Sequence, residues 1–116
     1  MPLADWRGFT EEGLASWYEH PGRRTASGER LDAAALTAAH TRLPMNVCLR
    51  VLNLENGRAV LVRVNDRGPF VPGRIVDLTR AAARALGFEG QGTARVRVSA
   101  VGAADAHGAC PPAAVS

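Results

Sequence analysis

Three side chains in this sequence are of the types that move protons and hold charge around a leaving oxygen: Glu29, His40 and Asp66. Two carboxylates and an imidazole suit protonation of that oxygen and stabilisation of the charge left behind. Asp66 is the best placed of the three. It ends the alternating run Arg58-Ala-Val-Leu-Val-Arg-Val64, and the following Gly68-Pro69 turns the chain at once. A carboxylate at such a strand-to-loop junction has a fixed backbone on one side and an open face on the other. Taken alone, Asp66 would more often cap its own turn, Glu29 in a polar loop would be solvated, and His40 would bond to backbone. The three need each other and a scaffold.

The scaffold is readable in short elements. A strand is expected over 14–18, with Leu14, Ser16 and Tyr18 on one face and Ala15 and Trp17 on the other, so at most one of the two aromatics faces a groove. Pro21-Gly22 and Ser27-Gly28 mark 20–30 as a loop. Propensity alone would start a short helix after Asp32, over 33–36 and on toward His40. Strands over 47–54 and 58–65 read as a hairpin across Asn56-Gly57, a type I′ signal. A short strand over 75–78 precedes a helix over 80–86, capped by Thr79 and closed by Gly87. The alternation of Ala94, Val96, Val98 and Ala100 with Arg95, Arg97 and Ser99 gives a last strand over 93–101.

Five blocks, GLASWY, TASGE, TAAHTRLP, VRVNDRGPF and GRIVDLT, stand in this order with compatible spacing. Together they resemble the rare lipoprotein A family, over about residues 13–101. The resemblance implies a mainly β fold, a small six-stranded double-psi β-barrel with one or two short helices, and favours a strand over a helix at 37–40. It implies a lytic transglycosylase that cuts the β-1,4 bond between N-acetylmuramic acid and N-acetylglucosamine and leaves a 1,6-anhydromuramoyl end. Asp66, Glu29 and His40 would be its catalytic residues, and Trp17, Tyr18, Thr25, Ser27, Arg67, Phe70 and Asp77 its substrate contacts. No metal and no cofactor is expected.

One acid/base residue can serve both steps of that reaction, because no water has to be activated. Asp66 is the first choice, with Glu29 as the alternative acid. Arg67 is a difficulty, since a cation beside Asp66 weakens it as an acid unless its side chain points elsewhere. Two departures from the family pattern stand out: Asn46 occupies a place where Gly is usual, in a turn that tolerates Asn at positive φ, and Leu31 replaces a residue more often aromatic. The rival reading is an expansin-like or barwin-like module that binds glycan without cutting it.

Composition agrees with one small domain. The chain has 116 residues, 47% of them apolar but only 5% aromatic, so a core must rest on Val, Leu and Ala. All fourteen basic residues are Arg, and the net charge of +3 suits an anionic partner. The arginines are dispersed, with neither an aromatic stacking platform nor a helix-turn-helix pattern, which argues against nucleic acid. No apolar run is long enough to cross a bilayer. Residues 1–12 read as a polar leader without a secretory pattern, so a signal removed beforehand is expected, and with it an extracytoplasmic place where the partner is peptidoglycan. A monomer is expected. Residues 102–116 read as a loose tail. Cys48 on a strand and Cys110 in that tail leave one possible disulfide, with a free, partly buried Cys48 as the alternative.

Overall fold

The computed structural model describes residues 5–18, 20 and 22–111. Six strands and one helix follow in order: β1 Thr10–Trp17, β2 Thr37–Ala39, β3 Val47–Asn53, β4 Ala59–Asp66, β5 Arg74–Leu78, α1 Arg80–Leu86 and β6 Thr93–Ala103. The strands close into a barrel in the order β1-β5-β2-β4-β3-β6. Closure leaves no edge strand to template aggregation. The β1–β5 and β2–β4 pairs are parallel, and the other neighbours are antiparallel.

Period-two alternation fills the interior with small branched side chains. Leu49, Val51, Val62, Val64, Val76, Leu78, Val96 and Val98 are fully buried, and among the described residues Phe88 is the one Phe, Tyr or Trp that joins them. At roughly 1.5–3 kcal/mol for each buried Val or Leu side chain, this aliphatic core supplies the main driving force. No helix among the described residues is long and apolar enough to cross a membrane.

Several elements differ from expectation, each for a physical reason. Strand β1 begins at Thr10, not Leu14, because residues 10–13 pair with β6 from Ser99 to Val96. Trp6 and Phe9 pack on the core just ahead of it. After Asp32 there is no helix: the Asp32 carboxylate accepts the Ala34 N–H at 2.9 Å, a local turn that competes with helix formation. The β3–β4 hairpin exists, but not with a type I′ turn. Gly57 is left-handed at φ 78° while Asn56 is not, and Asn53 N–H donates to Arg58 O across the intervening loop. The Asn56 amide instead donates to Leu86 O at 2.8 Å, as does that of Asn53 at 2.9 Å, so both satisfy a carbonyl at the end of α1. Helix α1 has the expected caps, Thr79 accepting from Ala82 N–H and Gly87 left-handed at φ 80°.

The C-terminal segment is not loose through Pro111. Strand β6 continues to Ala103, and a Cys48–Cys110 disulfide bonds the following turn to β3. Residues 112–116 lie outside the described part, as do residues 1–4.

Candidate active site

Asp66 occupies the C-terminal end of β4, and a register shift decides which way it points. Val64 lies opposite Ala38 and Asp66 opposite Ala39, so Asn65 is an extra residue on the β4 side. An inserted residue turns the next side chain onto the other face of the sheet. Asp66 therefore shares a face with Arg63 and leaves the core face of Val64. Ala39 also pairs with Asp77 of β5, and Asp77 with Ser16 of β1. Ser16, Asp77, Ala39 and Asp66 form one row across neighbouring strands, with the carboxylates separated by the small Ala39. Ser16 Oγ donates to Asp77.

The Asp66 side chain is only 6% exposed. Its Oδ1 accepts the N–H groups of Ala26 and Arg67, both at 2.9 Å, and Oδ2 accepts Arg23 Nη2 at 2.5 Å. Two donors are fixed backbone. The third is a side chain 42% exposed on the 20–30 loop, and the only flexible one. Arg23 also lies over the Tyr18 ring, 5.4 Å from its centroid. Burial pushes the Tyr18 hydroxyl well above the usual phenol range, with Asp66 and Asp77 adding to the effect. Tyr18, Arg23, Asp66 and Asp77 thus form one cluster at the barrel rim.

Arg67 resolves the difficulty it raised. Its guanidinium turns away from Asp66 and donates to His40 O at 3.1 Å and Leu43 O at 2.7 Å, pinning the 40–43 turn.

Glu29 is brought to the same face through Arg63. The Arg63 guanidinium grips both carboxylate oxygens, Nη1 to Oε1 at 2.7 Å and Nη2 to Oε2 at 2.8 Å, and Ser27 Oγ adds a bond to Oε1 at 2.9 Å. The Arg63 fork is the chief reason that the Glu29 carboxyl is lowered to about 2. The loop that carries it is seated on β4 by Ser27 N–H to Asn65 O at 3.1 Å. Thr25 is buried and bonds back to Glu29 O. Glu29 therefore lies on the outward face that Arg63 shares with Asp66, in an ion pair of its own.

Of the three expected catalytic residues, His40 is the one whose side chain lies away from this face. It is 1% exposed. Its Nδ1 accepts the N–H groups of Arg42 and Leu43, its Nε2 faces Glu11 Oε1 at 3.4 Å, and Phe9 packs edge-on against the ring. Burial holds its pKa below the ordinary imidazole value. What connects it to Asp66 is backbone: His40 N–H donates to Asp66 O at 3.1 Å.

The remaining expected contacts divide. Tyr18 faces the cluster, while Trp17 points to α1, donating to Glu89 O beneath Arg80. Phe70, just beyond the Gly68-Pro69 turn, is 81% exposed, an uncovered ring beside the site. Leu31 is buried, and its backbone pairs with that of Gly22 and Arg23. Asn46 adopts φ 73°, the left-handed turn its position required.

Two arginines were missed as site residues. Arg63 had a readable signal, since the strand alternation put it on the outward face. Arg23 had none beyond an Arg-rich loop, because its partner is 43 residues away.

Residues 10–98 match a family model described as lytic transglycolase. An endolytic peptidoglycan transglycosylase RlpA of Neisseria meningitidis is 53% identical over 95 residues, covering 80% of this chain and 40% of that protein. Its namesake in Pseudomonas aeruginosa is 49% identical over 102 residues, covering 86% of this chain and 30% of that protein. The chain thus spans less than half the length of these relatives. Among solved structures, a Streptomyces papain inhibitor superposes with a TM-score of 0.66 at 23% identity, over 80% of this chain and 94% of its own. A Clavibacter michiganensis expansin gives 0.63 at 24%, over 80% and 50%. These likenesses establish the double-psi β-barrel and nothing of activity.

Proposed function

The chain belongs to the lytic transglycolase family, and on that premise we propose that it cleaves the peptidoglycan glycan strand between N-acetylmuramic acid and N-acetylglucosamine. The observation that carries the reading is Asp66: a strand-end carboxylate fixed by two backbone donors and held at its other oxygen, among the described residues, by one side chain, Arg23. A glycan entering the rim displaces Arg23 from Oδ2. Oδ2, freed of the guanidinium, takes up a proton from solvent, and Asp66 gives that proton to the departing glycosidic oxygen as the bond to the muramoyl anomeric carbon breaks. The muramoyl 6-hydroxyl closes on that carbon, and its proton returns to Asp66. No water is consumed, so a single acid/base residue suffices.

Glu29 is assigned the opposite role. A carboxyl held at about 2 by Arg63 is ionised throughout the working range and gives no proton; it offers negative charge to the positive charge building at the anomeric carbon. Asp77, held by Ser16, and Tyr18 line the same rim. Phe70 offers a stacking face for a sugar ring. His40 is a positioning residue that ties the end of β2 to the backbone of Asp66. Such a substrate implies an extracytoplasmic place, which the Cys48–Cys110 bond supports.

Binding without cleavage is the second reading, and one observation favours it: the Asp66 side chain is nearly enclosed. Digestion of purified sacculi with mass analysis of the released sugars decides. Ends in 1,6-anhydromuramic acid support the proposal, reducing ends mean ordinary hydrolysis, and no release from folded protein favours the binding module.

A further inference from the structure

Arg63 fixes Glu29, and what fixes Arg63 comes from outside the loop that carries Glu29. Besides gripping both Glu29 oxygens, the guanidinium donates to Asn46 Oδ1 at 3.2 Å. Asn46 is itself tied down by its backbone: its N–H donates to Val64 O and its carbonyl accepts Ala104 N–H, both at 2.8 Å. Its left-handed φ of 73° would suit glycine, but only a side chain reaches the guanidinium.

A turn after β6 lies against the same guanidinium, beyond the residues that the family model matches. Asp105 organises it: its carboxylate accepts the N–H groups of His107 and Ala109 at 2.8 and 3.0 Å, and its carbonyl accepts that of Gly108 at 2.9 Å. The Cys110–Cys48 bond joins its far end to β3. Gly108 is the point of contact. A Cβ there would sit 3.3 Å from Arg63 Nε and 3.6 Å from Cζ, so glycine lets the backbone pack on the guanidinium where a larger residue would push it off.

These props matter because Arg63 has room to leave. Two hollows of about 500 and 450 Å³ meet at Arg63 and Gly108, one on the side of Glu29 and His107, the other on the side of Leu36 and Leu61. A long side chain beside open space gains rotamer freedom by swinging out, and a two-point pair with a carboxylate lasts only while the fork is held in line. The Arg63 side chain is nevertheless only 14% exposed, against 42% for Glu29. The arginine is the anchored partner, and the carboxylate follows it.

We propose that Asn46 and the disulfide-held 105–109 turn are positioning elements of the active site: they hold the Arg63 guanidinium, and through it the Glu29 carboxylate. The proposal deepens the transglycosylase reading and rests on it for the use to which Glu29 is put.

The test is NMR of the oxidised protein, reading solvent exchange of the Arg63 guanidinium N–H groups at neutral pH and the titration of the Glu29 carboxyl, in the wild type, Asn46→Gly and Asp105→Ala. Asn46→Gly accepts the left-handed backbone and keeps both backbone bonds, while Asp105→Ala loosens the turn and keeps the disulfide. Both replaced residues are exposed, so neither change opens the core. Exchange at Arg63 is expected to accelerate about fivefold or more in each variant, the scale of one lost hydrogen bond. Exchange at Arg97, which pairs with Glu12, should stay the same and serves as the internal control. The Glu29 carboxyl is expected to rise from about 2 toward the ordinary value of about 4.3. In Asp105→Ala the loss of a neighbouring anion by itself acts in the opposite direction, so a rise there isolates the loosened clamp. Unchanged exchange at Arg63 in either variant overturns the proposal, even if the melting temperature falls, and so does a Glu29 carboxyl unmoved in Asn46→Gly. Sacculus digestion separates this from the reading beneath it. A wild type that cleaves, with Arg63 and Glu29 unchanged in the variants, refutes the positioning alone, and one that never cleaves while both signals shift refutes the transglycosylase alone.

Discussion

Arg23 and Asp66 form the contact on which access to the site turns: the Arg23 guanidinium closes 2.5 Å from Asp66 Oδ2, across 43 residues of sequence. Because Oδ1 is already occupied by two backbone donors, Oδ2 is the oxygen left for substrate.

Removal of the guanidinium should therefore uncover the carboxylate. In Arg23→Ala, labelling of Asp66 by a water-soluble carbodiimide, followed by peptide mass analysis, is expected to accelerate several-fold over wild type. An unchanged labelling rate would mean that Arg23 does not gate the site.

Asp66→Asn should cost both turnover and stability. Without a carboxyl to donate and accept the proton, release of anhydromuropeptides is expected to fall about 100-fold or more. The side chain is nearly enclosed, and an amide presents an N–H to groups that are all donors. A destabilisation of about 1–3 kcal/mol is expected, visible as a lower melting temperature. Full activity in this variant removes Asp66 from the mechanism.

Glu29→Gln should be milder. It loses the charge that meets Arg63 but no proton that the reaction uses, and a drop of about tenfold is expected, the scale of one charge-assisted interaction. If Glu29→Gln abolishes cleavage while Asp66→Asn stays active, the two assignments exchange.

His40 predicts a pH effect on stability. Burial depresses its folded pKa, against the raising effect of Glu11 and with smaller lowering effects from Arg42 and Arg67. The unfolded chain then binds a proton that the folded chain resists, so this contribution is present above the ordinary imidazole pKa of about 6.5 and is lost as pH falls through the folded value. The melting temperature should drop between about pH 7 and about pH 5, and more shallowly in His40→Gln. Equal slopes for the two proteins would contradict the assignment of a buried neutral imidazole.

How much was legible in advance follows from the reach of each interaction. The strands β3 and β4, the caps of α1 and the place of Asp66 at a strand end were readable from 47–87, because periodicity, caps and turn residues act over a few positions. Even there, Asn56-Gly57 was misread as type I′, since the Asn56 amide is drawn to Leu86, 30 residues on. The family pattern carried the closed barrel and the choice of strand at β2, which helix propensity alone would have missed.

Sequence alone determined the residue types of the site, the strands that carry them and an aliphatic core poor in aromatics. Tertiary structure decided which charges meet. The Asn65 register shift turned Asp66 onto the face of Arg63, and Arg23 rather than the adjacent Arg67 took its carboxylate. Glu29 joined Arg63 across 34 residues, His40 turned its ring toward Glu11, and Cys48 bonded Cys110 across 62. Local rules set backbone direction and side-chain alternation. They cannot choose among fourteen arginines for one carboxylate, because that choice depends on how barrel closure and loop packing bring distant segments within the few ångströms where ion pairs and hydrogen bonds act.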